Sequence, residues 1–210
     1  MQLVLKYEPP IFVAVGRPLS DNQDVLFSFF GFQKILNDFY YNFEDFQSGR
    51  INGLRPAESL DTCIFSLINN LHALHAFFER TGEKVPSAKG AFESSAQVFG
   101  RGFFSIVKDM RNSIAHMEDY LFSKKSMKAS TGRNETLGIR VENGGLVNLI
   151  SGYDESRLIV RGLRGNLLEL NHSELMKKVA MSSLVLKAGM EKCGYSIEIR
   201  GIEIISRRNP

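Results

Sequence analysis

The chain has 210 residues, 43% of them hydrophobic and 23% charged, which excludes a disordered tail and allows a core burying roughly 70% of the extended-chain surface. A net charge of +3 and a pI near 8.8 exclude a polycation that coats nucleic acid, so any such contact must be local. Two isolated cysteines, Cys63 and Cys193, argue against a zinc site or a disulfide framework, and neither a signal peptide nor a membrane span of roughly 20 apolar residues is legible, so a reducing, cytoplasmic setting is expected.

Residues 1–20 read as an N-terminal extended segment. Its two short pieces, Leu3 to Lys6 and Ile11 to Val15, are broken by Pro9-Pro10 and are expected to pair with strands from elsewhere. Ser20 or Asp21 can cap a helix running to about Gln47 and ended by Gly49. That helix carries Phe27, Phe29, Phe30, Phe32, Phe39, Tyr40, Tyr41, Phe43 and Phe46, more rings than one core face takes. Part of its surface is therefore expected to make a second contact, either with another subunit or with a second layer of the fold.

Pro56 suits the first turn of a second helix, about 56 to 81, whose stripe Leu60, Ile64, Leu67, Leu71, Leu74 and Phe78 faces inward, with Gly82 at its end. His72 and His75 make an HxxH pair beside that stripe that could be half of a metal site or lend polarity to a pocket near His116, but no third ligand stands nearby, so neither role is expected. A third helix begins near Ala91 and is interrupted at Gly100-Arg101-Gly102, since each glycine in a helix interior costs about a kcal/mol. A lone GxG is no nucleotide fingerprint, although Arg101 is suited to an accessory phosphate contact.

Residues 124–136 form a basic linker in which Lys124 and Lys125 either follow a nucleic-acid backbone or are solvated beside a helix C-terminus. Residues 137–170 then switch to strand alternation. Two hairpins are expected, around Asn143-Gly144-Gly145 and Arg164-Gly165-Asn166, making an antiparallel meander of about four strands. Asn171 with Glu174 suggests a capping box for a helix within 171–194 that returns to the helical core of residues 21–123. A strand in 195–210 closes the chain, its alternation shifting at Gly201 as at a bulge. The fold class expected is α+β, mainly α, an up-and-down helical bundle with an inserted β-meander and a C-terminal strand.

Phe103, Ile106 or Val107, Met110, Ile114, Met117 and Leu121 mark the buried face of the helix that follows the glycine break. They leave Arg111, Asn112 and His116 unexplained. Asn112 and His116 are four apart and stack on a helix, while Arg111 lies about 140° round from His116 and is long enough to bend back. A fixed cation, an amide and an imidazole that titrates near neutral pH suit a phosphate.

Arg111-Asn112-x-x-Ala115-His116, placed after two long amphipathic helices, resembles the Arg-x4-His motif of the HEPN superfamily, over roughly Asp21 to Phe122. The resemblance implies a HEPN-like bundle and a metal-independent endoribonuclease without cofactor. It also implies a composite site at a homodimer interface acting on RNA, transfer RNA among the candidates, in toxin-antitoxin or anti-phage defence with an antitoxin protein as partner. Arg111, His116 and Asn112 would be catalytic, with Arg101, Lys108, Lys124 and Lys125 as substrate contacts. A toxin branch of the family carries a Tyr two residues after the His, where this chain has Glu118, the nearest tyrosine being Tyr120. Two other readings stay open: a HEPN-like module that binds RNA or a nucleotide without cleaving it, and a helical interaction protein whose motif is structural.

Overall fold

The computed structural model describes residues 2–52, 57–115, 140–142, 145–148, 157–161 and 167–207. These are mainly helical with antiparallel strand pairs, the α+β, mainly α class expected from the periodicity. Strand β1 (Gln2–Val15) leads through a 3-10 turn (Leu19–Asp21) into α1 (Gln23–Asn52) and α2 (Ala57–Lys84). A second 3-10 turn (Pro86–Ala88) precedes α3 (Lys89–Gln97), and α4 (Phe103–Ala115) follows the glycine break. Strands β2 (Arg140–Glu142) and β3 (Gly145–Asn148), β4 (Arg157–Arg161) and β5 (Leu167–Asn171) form two hairpin pairs, and α5 (His172–Lys192) and β6 (Ile197–Arg207) complete the order. No helix among the described residues is long and apolar enough to cross a membrane.

The chain divides into two compact units, one of Met1–Tyr41, Ala73–Arg101 and Glu174–Pro210, the other of Asn42–His72 and Gly102–Ser173. In the first, β1 pairs antiparallel with β6. Ile11, Val13, Ile197, Ile199 and Ile202 turn inward and are buried, while Phe12, Ala14, Glu198 and Arg200 face out, the period-two pattern of a half-covered sheet. The ladder shifts register between Tyr7 and Phe12. Opposite that shift, Gly201 has φ +87° and a Cβ there would meet the Glu8 carbonyl oxygen at 2.7 Å, so only glycine fits.

The rings expected to outnumber one core do divide. Phe29 and Phe32 of α1 are buried against Phe77 of α2, stacked on Phe32 at 4.4 Å and edge-on to Phe29 at 5.4 Å, with Phe92 of α3 edge-on to Phe77 at 5.8 Å. Such pairs add about 0.5–1.5 kcal/mol each beyond their burial. Phe27 and Phe30 remain 66% and 53% exposed on the other side of α1.

Four local expectations change. The cap of α1 is Asn22, whose Oδ1 accepts from the Val25 N–H at 3.3 Å, because the 3-10 turn holding buried Leu19 occupies Ser20 and Asp21. Helix α1 continues through Gly49 to Asn52. Helix α2 continues through Gly82, where the missing side chain lets Phe92 approach: a Cβ there would meet the Phe92 Cβ at 3.2 Å. Among the described residues the four inserted strands form two separate pairs, β2 with β3 and β4 with β5, rather than one sheet; residues 143–144 and 162–166, where the hairpin turns were expected, lie outside the described residues.

Candidate functional site

Helix α4 starts where Gly100 and Gly102, at φ +93° and +81°, turn the chain out of α3. Neither glycine has a neighbour that a Cβ would strike, so what they supply is the left-handed backbone that side chains resist. In α4 the residues at steps of three separate cleanly. Phe104, Val107 and Met110 are buried, Met110 and Val107 completely, and Phe103 meets Phe104 edge-on at 5.3 Å. Val107 and not Ile106 is thus the core position. Ser105, Lys108 and Arg111 are exposed, and Asn112 is half-buried at the edge of their face.

Lys108 is three residues from Arg111 and four from Asn112, so the ammonium, the guanidinium and the amide share one side of the helix. Neither Lys108 nor Arg111 has an ion pair or hydrogen bond among the described residues. Among the described residues, Lys34 pairs with Asp38, Lys89 with Glu93 at 3.8 Å and half-buried Lys187 with Glu191 at 3.9 Å, each within its own helix. Two unanswered cations with a neighbouring amide can bind an anion: guanidinium and ammonium are donors only, and the fork of the guanidinium matches two phosphate oxygens. Strand β5 runs beside α4 in the same unit.

His116, Lys124 and Lys125 lie outside the described residues, as do Glu118 and Tyr120. Arg101 is exposed but belongs to the first unit, whereas Lys108, Arg111 and Asn112 belong to the second. Three of the seven expected site residues therefore come together on one described helix face. No group of three or more His, Cys, Asp or Glu side chains placed to hold a metal occurs among the described residues. His75 of the HxxH pair is half-buried and lies 3.5 Å from Glu79, one turn on.

A groove of about 660 Å³ in the first unit was not anticipated. It runs between α2 and α3 over the buried rings of Phe78 and Phe92, with His75, Glu79 and Glu83 on one wall and Lys89, Glu93 and Gln97 on the other. Each wall repeats at i, i+4 and i+8, a signal present in the sequence, but that the two walls face each other depends on how the helices meet at Gly82. No protein-family model, curated protein or solved structure matches this chain.

Proposed function

We propose that this chain is a HEPN-type metal-independent endoribonuclease that cleaves RNA through a composite site at a homodimer interface, in toxin-antitoxin or anti-phage defence. The observation that carries the reading is the Arg111-Asn112-x-x-Ala115-His116 motif, with Lys108 and Arg111 exposed and without a partner among the described residues on a helix whose Phe104, Val107 and Met110 are buried.

RNA brings its own nucleophile. The 2'-hydroxyl attacks the adjacent phosphorus, the P–O5' bond breaks, and a 2',3'-cyclic phosphate and a free 5'-hydroxyl result. One group must take the 2'-proton while another protonates the departing 5'-oxygen, and each role is worth roughly 10²- to 10⁴-fold. One His116 cannot fill both roles at once; two, related by a dimer axis, can. Arg111 stabilises the added negative charge on the phosphorane-like transition state, Asn112 orients the phosphate or the imidazole, and Lys108 holds the neighbouring backbone.

The test incubates wild type and His116→Ala with mixed total and transfer RNA in EDTA and reads the fragment ends. Cleavage leaving 2',3'-cyclic phosphates that vanishes in the variant is the expected result. If wild type retains RNA without cutting it, and Arg111→Ala releases it, the chain is the binding module instead.

A further inference from the structure

The fold uses two sides of α1 and leaves a third. On one side Asn37 accepts from the Ile11 N–H at 2.6 Å and donates to the Ile11 carbonyl at 2.8 Å, and Gln33 accepts from the Val13 N–H at 3.0 Å. On another, Val25, Phe29, Phe32 and Leu36 are buried in the core. The third side carries Asp24, Phe27, Gly31 and Lys34, all exposed and spaced by three, four and three residues, the steps of a helix–helix seam. Beside them Phe30 is exposed and meets Phe27 edge-on at 6.4 Å.

Gly31 is required by nothing among the described residues. Its backbone is helical and a Cβ there would meet nothing within 4 Å, so neither a left-handed turn nor a close neighbour calls for glycine. Glycine weakens a helix interior, and its use there is to let another group come close. One turn earlier on the same exposed face stands the ring of Phe27. A knob and a hollow thus lie side by side, and a charge flanks each: Asp24 before the knob and Lys34 after the hollow. Asp24 has no ion pair among the described residues, and Lys34, which pairs with Asp38 of its own helix, has two further ammonium hydrogens to give.

We propose that α1 packs antiparallel against α1 of a second copy of this chain, with the two-fold axis over the turn at Phe29. Phe27 and Gly31 are centred on that residue, and so are Asp24 and Lys34, so one axis serves both pairs. Each Phe27 enters the hollow over Gly31 of the other copy, each Asp24 meets the other's Lys34, and the Phe30 rings leave water beside the axis. Other arrangements do worse. Parallel packing sets Asp24 against Asp24 and Lys34 against Lys34. Moving the axis half a heptad in either direction sets Phe27 against Asp24 or Asp38, and moving it a full heptad towards the C-terminus sets Phe27 against Asp45, burying a ring against a carboxylate each time. A partner of another sequence would have to supply the same ring, hollow and charges in reversed order, which α1 itself does. The contact lies in the first unit and does not rest on the ribonuclease reading, since α4 belongs to the second.

Sedimentation velocity on the full chain, on Gly31→Leu and on Phe27→Ala measures the association, with circular dichroism to show that each variant is folded. The space over Gly31 is open within the chain, so a leucine there strains nothing in the single copy. The pairing requires a wild-type dimer whose association weakens roughly tenfold or more in each variant. Orientation is read with Asp24→Cys and Lys34→Cys, each made with Cys193→Ser to remove the exposed native thiol, and a short bismaleimide. The two should cross-link when mixed and neither should cross-link alone. A wild-type monomer at high micromolar concentration overturns the pairing, as does a dimer indifferent to both Gly31→Leu and Phe27→Ala, which would use another surface. Cross-linking of Asp24→Cys with itself overturns it too, because the helices would then run parallel.

Discussion

The seam between α1 and β1 and the outward face of α4 are both polar surfaces on amphipathic helices, and they treat their polar groups in opposite ways. At the seam every amide has its counterpart: Asn37 answers both backbone groups of fully buried Ile11, and Gln33 answers Val13. On α4, Lys108 and Arg111 stand exposed with no partner among the described residues. Side chains that hold a fold together have their partners inside it. Those that act on something else are left open, and the contrast predicts that the two surfaces will fail differently when altered.

Arg111→Ala should produce the largest effect and only in function. On the proposed ribonuclease mechanism, removing one donor from the transition-state anion site lowers turnover roughly 10²- to 10³-fold, about 2.7–4 kcal/mol. The guanidinium has no partner among the described residues, so the melting temperature should stay where it was. Rates on a cleaved transfer RNA, measured beside a thermal scan, separate the outcomes. A large fall in stability with the fall in rate would make Arg111 part of the seam class, a structural residue after all.

Asn37→Ala should do the reverse. It strands the N–H and C=O of a residue with no solvent access, at a cost of about 2–4 kcal/mol in total. For a chain of this size each kcal/mol lowers the melting temperature by about 2–4 °C. RNA cleavage per folded molecule should be unchanged. It should also reopen the β1 edge, seen as faster exchange at the Ile11 and Val13 amides.

The difference between the surfaces also marks what a sequence can disclose. Lys108, Arg111 and Asn112 were legible because their grouping needs one helix only, and its three-residue steps fix which side they take. The bulge at Gly201 was legible because a break in alternation is local. Gly49 and Gly82 were misread as helix ends. At Gly82, whether the glycine stops the helix or admits a neighbour depends on Phe92, which arrives from another element. Asn37 gave no sign at all, since its role exists only once β1 lies against α1. The α2–α3 groove was hidden for the same reason.

A smaller structural effect is expected at Gly189 of α5, where a Cβ would come within 2.6 Å of the Ala91 Cβ on α3. Gly189→Ala improves local helix propensity by about 0.5–1 kcal/mol but overpacks a contact between two helices. The second effect wins, giving a net loss of about 1–2 kcal/mol by urea unfolding. A gain in stability would mean the two helices separate easily.

Tyr40 is the exception inside the closed region, and its substitution should have the smallest effect and the opposite sign. Its ring stacks on Tyr7 at 4.7 Å and is fully buried, yet its hydroxyl has no hydrogen-bond partner among the described residues. Tyr40→Phe keeps the stack and removes an unmet polar group, so it should stabilise the chain by about 1 kcal/mol. Burial, reinforced by the nearby Tyr7 phenol, pushes the Tyr40 phenol well above its ordinary value of 10.0. A raised value in the folded state means that the stability linked to this group is whole below its unfolded value and drains away as pH rises above it, because the unfolded phenol ionises where the folded one cannot. The advantage of Tyr40→Phe should therefore be flat through neutral pH and widen above pH 10. Paired urea titrations at neutral pH and above pH 10 would show it, and a gap that stays constant would mean that the Tyr40 hydroxyl ionises as readily in the folded chain as in the unfolded one.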